Sequence, residues 1–173
     1  MNTTKNAELK LEARGVKSFL GTEGHGFNAT LYINSRKAAT VIDSADGGMY
    51  HWHWLDKEAE GTFADYVASL PEETHYYEPV RASGEKPEPN AANSFTFKPD
   101  ADSVMSGLVD DAINARRLAR LMKSNTLFRL KSETYKDGEW RKLTGGAFCP
   151  AAKEWLVKKY GDDLGEILNE RKS

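Results

Sequence analysis

Two histidines flank a tryptophan in Tyr50-His51-Trp52-His53-Trp54, the one place where imidazoles are spaced to act together. On a strand, residues two apart project to the same face about 7 Å apart, so His51 and His53 can each offer a nitrogen to one metal ion. A metal-dependent hydrolase needs a third donor as well. His25, Asp43, Asp46 and Asp56 are the nearest in sequence, and none stands at a diagnostic ligand spacing. The competing reading places His51 and His53 on the polar face of a strand whose Tyr50, Trp52 and Trp54 enter the core. Without a fixed third ligand the pattern favours that reading, and neither metal nor cofactor is assigned.

Cys149 is the only cysteine, which excludes an intramolecular disulfide and a cysteine zinc cage. It precedes Pro150 at an expected helix start, where the positive helix end favours a thiolate nucleophile. Catalysis would also need a base, and all four histidines are distant in sequence, so a small buried thiol is expected.

Charge is divided along the chain: residues 56–88 hold nine acidic and three basic side chains, and residues 114–142 hold nine basic and three acidic. Arg116, Arg117, Arg120 and Lys123 lie at one end of an expected helix. Arg129, Lys131, Arg141 and Lys142 decorate the hairpin that follows, interleaved with Phe128, Tyr135 and Trp140. Such a surface can bind nucleic acid by contacting phosphates and stacking bases, or can meet another partner. Three structural explanations compete: cations complement a helix C-terminus, the two charged segments pair internally, or charged stems cover a sheet. The glycine turns at 21–26 and 43–48 lack the order of a dinucleotide fingerprint and the lysine of a P-loop, so hairpin geometry accounts for them.

The elements that must position these residues follow from patterning. The 173 residues, 39% apolar, suit one α+β domain with one core, with a possible sub-boundary in the 71–94 connection. Net charge is −2 and the sequence pI is about 6.1, so no whole-molecule field draws the chain to nucleic acid or anionic lipid. No apolar run is long enough for a signal h-region or a membrane span, and cytoplasmic residence with no membrane partner is the expectation.

Leu9, Leu11 and Ala13 alternate with charges and open a strand that continues past Gly15 to Val16 and Phe19. Phe27, Ala29, Leu31 and Ile33 then share one face of a half-buried strand, Ala39–Ile42 returns from it, and Met49–Trp54 makes another strand of an antiparallel meander. Spacings of three and four over Asp56–Leu70 predict an amphipathic helix across this sheet, closed by Pro71. Residues 71–94 carry four of the six prolines and read as a long connection. A short edge strand over Ser94–Lys98 precedes a long helix capped by Asp102, with Val104, Leu108, Val109, Ile113, Leu118 and Leu121 as its apolar stripe. A hairpin over Thr126–Lys131 and Glu139–Leu143 turns at Lys136-Asp137-Gly138. A helix from Pro150 to Gly161 and a short helix over Asp162–Asn169 end the chain.

The segments GHGFNATLYINSRKAATVIDSADGG, LDKEAEGTFADYVASLP and FTFKPDADSVMSGLVDDAINARRLARLMKSNTLFRL together resemble a family of phage and mobile-element proteins of no assigned activity, over residues 10–143. Members of that family often carry an Asn-Gly-His-Gly-Gly turn, where this chain has Asp43–Gly48 without histidine. The resemblance implies a small accessory protein, made in bacterial cytoplasm, that binds a host or defence component, either a macromolecule or a small effector, without catalysis. Nucleic-acid binding through residues 116–142 and a His51/His53 hydrolase are the alternatives.

Overall fold

Alternation builds the first sheet. In β2 (His25–Ile33) the side chains of Phe27, Ala29, Leu31 and Ile33 are buried while Asn28 is exposed. The computed structural model describes residues 9–76, 94–136 and 138–172. It pairs β2 with β1 (Leu11–Leu20) and β3 (Arg36–Asp43), and β3 with β4 (His51–Trp54), in the antiparallel order β1-β2-β3-β4. Asn34 and Ser35 join β2 to β3 with φ of 50° and 67°, the left-handed pair that a two-residue hairpin of native twist requires. Gly15, with φ 65°, forms a bulge between Arg14 and Lys17. The extra residue re-phases the alternation of β1, so that Val16 turns inward and is buried.

Helix α1 (Lys57–Ser69) starts at Asp56, whose carboxylate accepts from the Ala59 N–H at 2.7 Å, and it buries Phe63. The stretch read as a connection contains a strand that the sequence did not announce: β5 (Glu73–Tyr76) pairs antiparallel with β6 (Ser94–Phe97), the expected edge strand. The four residues Glu-Thr-His-Tyr are all exposed, so no burial pattern marked them. The rest of the proline-rich stretch, residues 77–93, lies outside the described residues, as does Asp137 of the expected hairpin turn.

Helix α2 (Ala101–Met122) is capped by Asp100 rather than by Asp102. The Asp100 carboxylate accepts from the Ser103 N–H at 2.8 Å, and the Ser103 hydroxyl accepts from the Asp100 N–H at 2.9 Å, a reciprocal capping pair. Of the expected stripe, Val109 is buried together with Met105, while Ile113 is exposed. Two compact units partition the chain, Met1–Asp110 and Asp111–Ser173, and the division falls inside α2 rather than in the 71–94 connection.

In the second unit β7 (Asn125–Leu130) is the central strand, paired antiparallel with β8 (Arg141–Thr144) and β9 (Leu164–Ile167). Phe128, Leu130, Leu156 and Ile167 form its core, with Leu143, Phe148, Tyr160 and Leu164 packed against it. Leu156 comes from α3 (Pro150–Tyr160).

Two expectations are corrected here. The final helix over 162–169 is a 3-10 turn (Gly161–Asp163), then β9, then a 3-10 helix (Leu168–Lys172). Gly161, at φ 53°, breaks the helix, and Gly165 lets β9 approach the open edge of β7, where a Cβ would stand 3.1 Å from the Arg129 carbonyl oxygen. Cys149 is exposed at the N-cap of α3 and is not a core thiol, because the chain reaches Pro150 in extended conformation outside the packed cluster. Among the described residues no helix is long and apolar enough to cross a membrane.

Candidate functional site

The four residues of β4 alternate, with His51 and His53 exposed and Trp52 and Trp54 half-buried on the opposite face. The two indoles stack with centroids 5.2 Å apart and planes 10° apart. Phe63 of α1 meets both, at 5.4 Å from Trp52 and 5.7 Å from Trp54, and Tyr66 extends the row beyond it.

This aromatic floor is not fully roofed. Along the same helix Ala64, Val67 and Ala68 are too small to cover two indoles, and a groove of about 490 Å³ remains, closed on the other side by Pro99 and Ala101. Glu60 and Lys98 are the only ionisable residues among those that line it.

Asp102 holds the floor in place. Its Oδ1 accepts from the Trp52 indole N–H at 2.8 Å, and its Oδ2 accepts from the Tyr50 backbone N–H at 2.9 Å. One carboxylate therefore satisfies both the edge amide that leads into β4 and the indole that would otherwise be half-buried without a partner. Behind it, burial pushes the Tyr50 hydroxyl above the usual tyrosine range. A hydrogen bond with Ser106 opposes that shift, and the carboxylates of Asp43, Asp102 and Asp110 add to it. Phe27 meets the Tyr50 ring edge-on at 5.1 Å. The groove thus combines rigid, planar, apolar walls with charge only at Glu60 and Lys98, a composition for binding a hydrophobic or aromatic group rather than for moving protons.

The residues singled out in the sequence fall elsewhere. His51 and His53 point away from the groove on the outer face of β4, and His25 is exposed at the start of β2. Among the described residues no three His, Cys, Asp or Glu side chains converge as a ligand set.

The basic residues divide between packing and solvent. Arg117 donates to Asn114 Oδ1 and, at 2.7 Å, to the Gly138 carbonyl. Arg129 lies over the Trp140 ring at 4.3 Å and the Tyr135 ring at 5.3 Å while donating to the Glu139 carbonyl. Lys131 donates to the Asp162 carbonyl. Arg141 forms a two-pronged pair with Glu133, which also accepts from the Tyr135 hydroxyl at 2.6 Å. These partners, the tyrosine hydroxyl first and Arg141 second, hold the Glu133 carboxyl below its usual range. Arg116, Arg120, Lys123 and Lys142 have exposed side chains. One face of the Trp140 ring is covered by the Arg129 guanidinium.

Comparison of the chain with protein-family models, with curated proteins and with solved structures finds no match.

The sequence placed Trp52 and Trp54 in the core and predicted an amphipathic helix over Asp56–Leu70 across the sheet, and did not separate the two as a site. A signal was present nonetheless. A four-residue strand carrying two tryptophans on one face faces a helix that offers alanine at 64 and 68, so ring area exceeds what the helix can cover. Asp102 gave no such signal, because its partners stand 50 and 52 residues away.

Proposed function

We propose that this is a binding protein and that the tryptophan-lined groove of the first unit is its recognition site, taking a planar, apolar small effector. The observation that carries the reading is the stacked Trp52–Trp54 pair left half-covered beside Phe63, with Trp52 fixed in place by Asp102. A volume of about 490 Å³ is in the range that encloses a small organic ligand. Rings already held in place lose little entropy on binding, so stacking on them turns efficiently into affinity. The family resemblance adds a setting, an accessory protein of a phage or mobile element that meets a host or defence effector in the bacterial cytoplasm.

The basic surface of the second unit supports nucleic-acid binding less well, because Arg117, Arg129, Lys131 and Arg141 already have partners within their own unit. The reading is tested by titrating N-phenyl-1-naphthylamine, an uncharged planar probe, into the folded protein and into Ala68→Arg. Ala68 is exposed on the helix that walls the groove, so the substitution blocks the groove and leaves the core untouched. Saturable binding at one site that Ala68→Arg abolishes is expected. Equal binding by both proteins, or none by either, contradicts the reading.

A further inference from the structure

The sheet of β1 to β4 turns a polar face away from the groove. Residues directly opposite on neighbouring strands share a face, and the register sets two rows there: Arg14, Thr30, Thr40 and His53, then Lys17, Asn28, Ile42 and His51. Each row starts with a cation on β1 and ends with an imidazole on β4. Arg14, Lys17, Asn28, His51 and His53 are exposed. Among the described residues, no side-chain hydrogen bond or ion pair engages Lys17, Asn28, His51 or His53.

An aromatic ring stands beyond each row. Past Lys17, the next residue of β1 on this face is Phe19, which lies opposite Gly26 and is 37% exposed. A Cβ on Gly26 would stand 2.9 Å from two atoms of the Phe19 ring, so the glycine seats the ring against the sheet. Past Arg14 comes Tyr32, whose ring carries the Arg14 guanidinium at 4.3 Å. Glu12, opposite Tyr32 on β1, is the one carboxylate at these paired positions, and Lys10 and Arg14 both form ion pairs with it. Lys37 pairs opposite Tyr32 on β3 and adds a further cation. The face is therefore positive on a chain whose net charge is −2.

We propose that this face binds single-stranded nucleic acid. Phe19 and the Arg14 guanidinium stack bases, Lys17 and Lys37 contact phosphates, and Asn28 with the two imidazoles meets base edges. A single strand suits the shape better than a duplex does. Four strands about 4.8 Å apart make a face about 14 Å across, too broad to enter a major groove of about 12 Å. The surface belongs entirely to the first unit and is independent of both the groove and the basic residues 116–142.

A fluorescein-labelled fifteen-residue oligothymidylate is the probe, titrated with protein at several sodium chloride concentrations while anisotropy is followed. Saturable binding is expected, with log K falling against log salt at a slope of about −1.4 for two phosphate contacts. Lys17→Glu should weaken binding at least fivefold and flatten that slope. Phe19→Ala should weaken it at least fivefold with the slope unchanged, and Phe19→Trp, which keeps a stacking ring, should retain it, so that loss in the alanine variant is not ascribed to unfolding. Lys142→Glu, in the second unit, should leave binding unchanged. Four results each overturn the proposal: no saturable binding at 50 mM salt, a duplex of the same length bound as tightly, binding that Lys17→Glu and Phe19→Ala leave intact, and binding lost in Lys142→Glu.

Discussion

Asp102 accepts the indole N–H of Trp52 at 2.8 Å across 50 residues of sequence, and its other oxygen takes the backbone N–H of Tyr50. A residue that the sequence nominates as a helix cap thus serves as the post to which the floor of the groove is tied, because Asp100 does the capping in its place.

Removing that post should be costly out of proportion to its size. Asp102→Ala leaves an indole and a backbone amide without acceptors in a part-buried setting, and a loss of about 1–3 kcal/mol per abandoned group is expected. Urea unfolding measures the loss, and the Trp52 indole resonance should move upfield as its hydrogen bond disappears. An unchanged resonance would show that Asp102 does not hold Trp52 in solution.

Phe63 joins the helix to both indoles and is 1% exposed. Phe63→Ala should cost about 3–5 kcal/mol, whereas His53→Ala on the outer face of the same sheet should change stability by about 0.5 kcal/mol or less. Chemical denaturation of the two variants side by side checks the register of β4, since a one-residue slip would turn His53 inward and make His53→Ala costly.

The Asp100 cap has a pH signature. Hydrogen bonds from Ser103, backbone first and side chain second, hold the Asp100 carboxyl below its ordinary range. A folded-state value below the unfolded one stabilises the protein above the unfolded value, near pH 4, and this stabilisation is lost as pH falls through the lower folded value. Asp100→Ala should therefore cost about 1 kcal/mol at pH 6, and the gap to the native protein should close below pH 4. A difference independent of pH would contradict the ionised cap.

Asn169 ties the last turn of the described chain to the central strand of the second sheet. Its Oδ1 accepts from the Leu127 N–H at 2.8 Å, and its Nδ2 donates to the carbonyls of Asn125 at 3.1 Å and Met122 at 3.4 Å. Asn169→Ala should cost about 1–3 kcal/mol, and it should accelerate hydrogen exchange at the Leu127 amide before other amides of β7.

Local periodicity made much of this architecture legible. The meander from Phe27 to Trp54, the helix around Phe63 and the long helix show periods of two or 3.6 that a single sequence displays, and the hairpin of β7 and β8 is marked by its turn residues. Elements held by partners far along the chain did not show themselves. β5 is an exposed ribbon strand made only by its pairing with β6, and β9 exists because β7 has a second edge to satisfy. The candidate site was partly visible. The aromatic residues were identified as inward-facing, but inward and covered are different conditions, and only the small side chains of α1 set beside the rings decide between them. The histidines of β4 drew attention by type alone, and their strand turns them outward.

The most direct test of the groove is to locate a ligand in it. Intermolecular NOEs between N-phenyl-1-naphthylamine and the methyl groups of Ala64, Val67 and Ala68 are expected in the probe-saturated protein. Contacts confined instead to the second unit, or no NOE to these methyls at saturation, would contradict a recognition site built on Trp52 and Trp54.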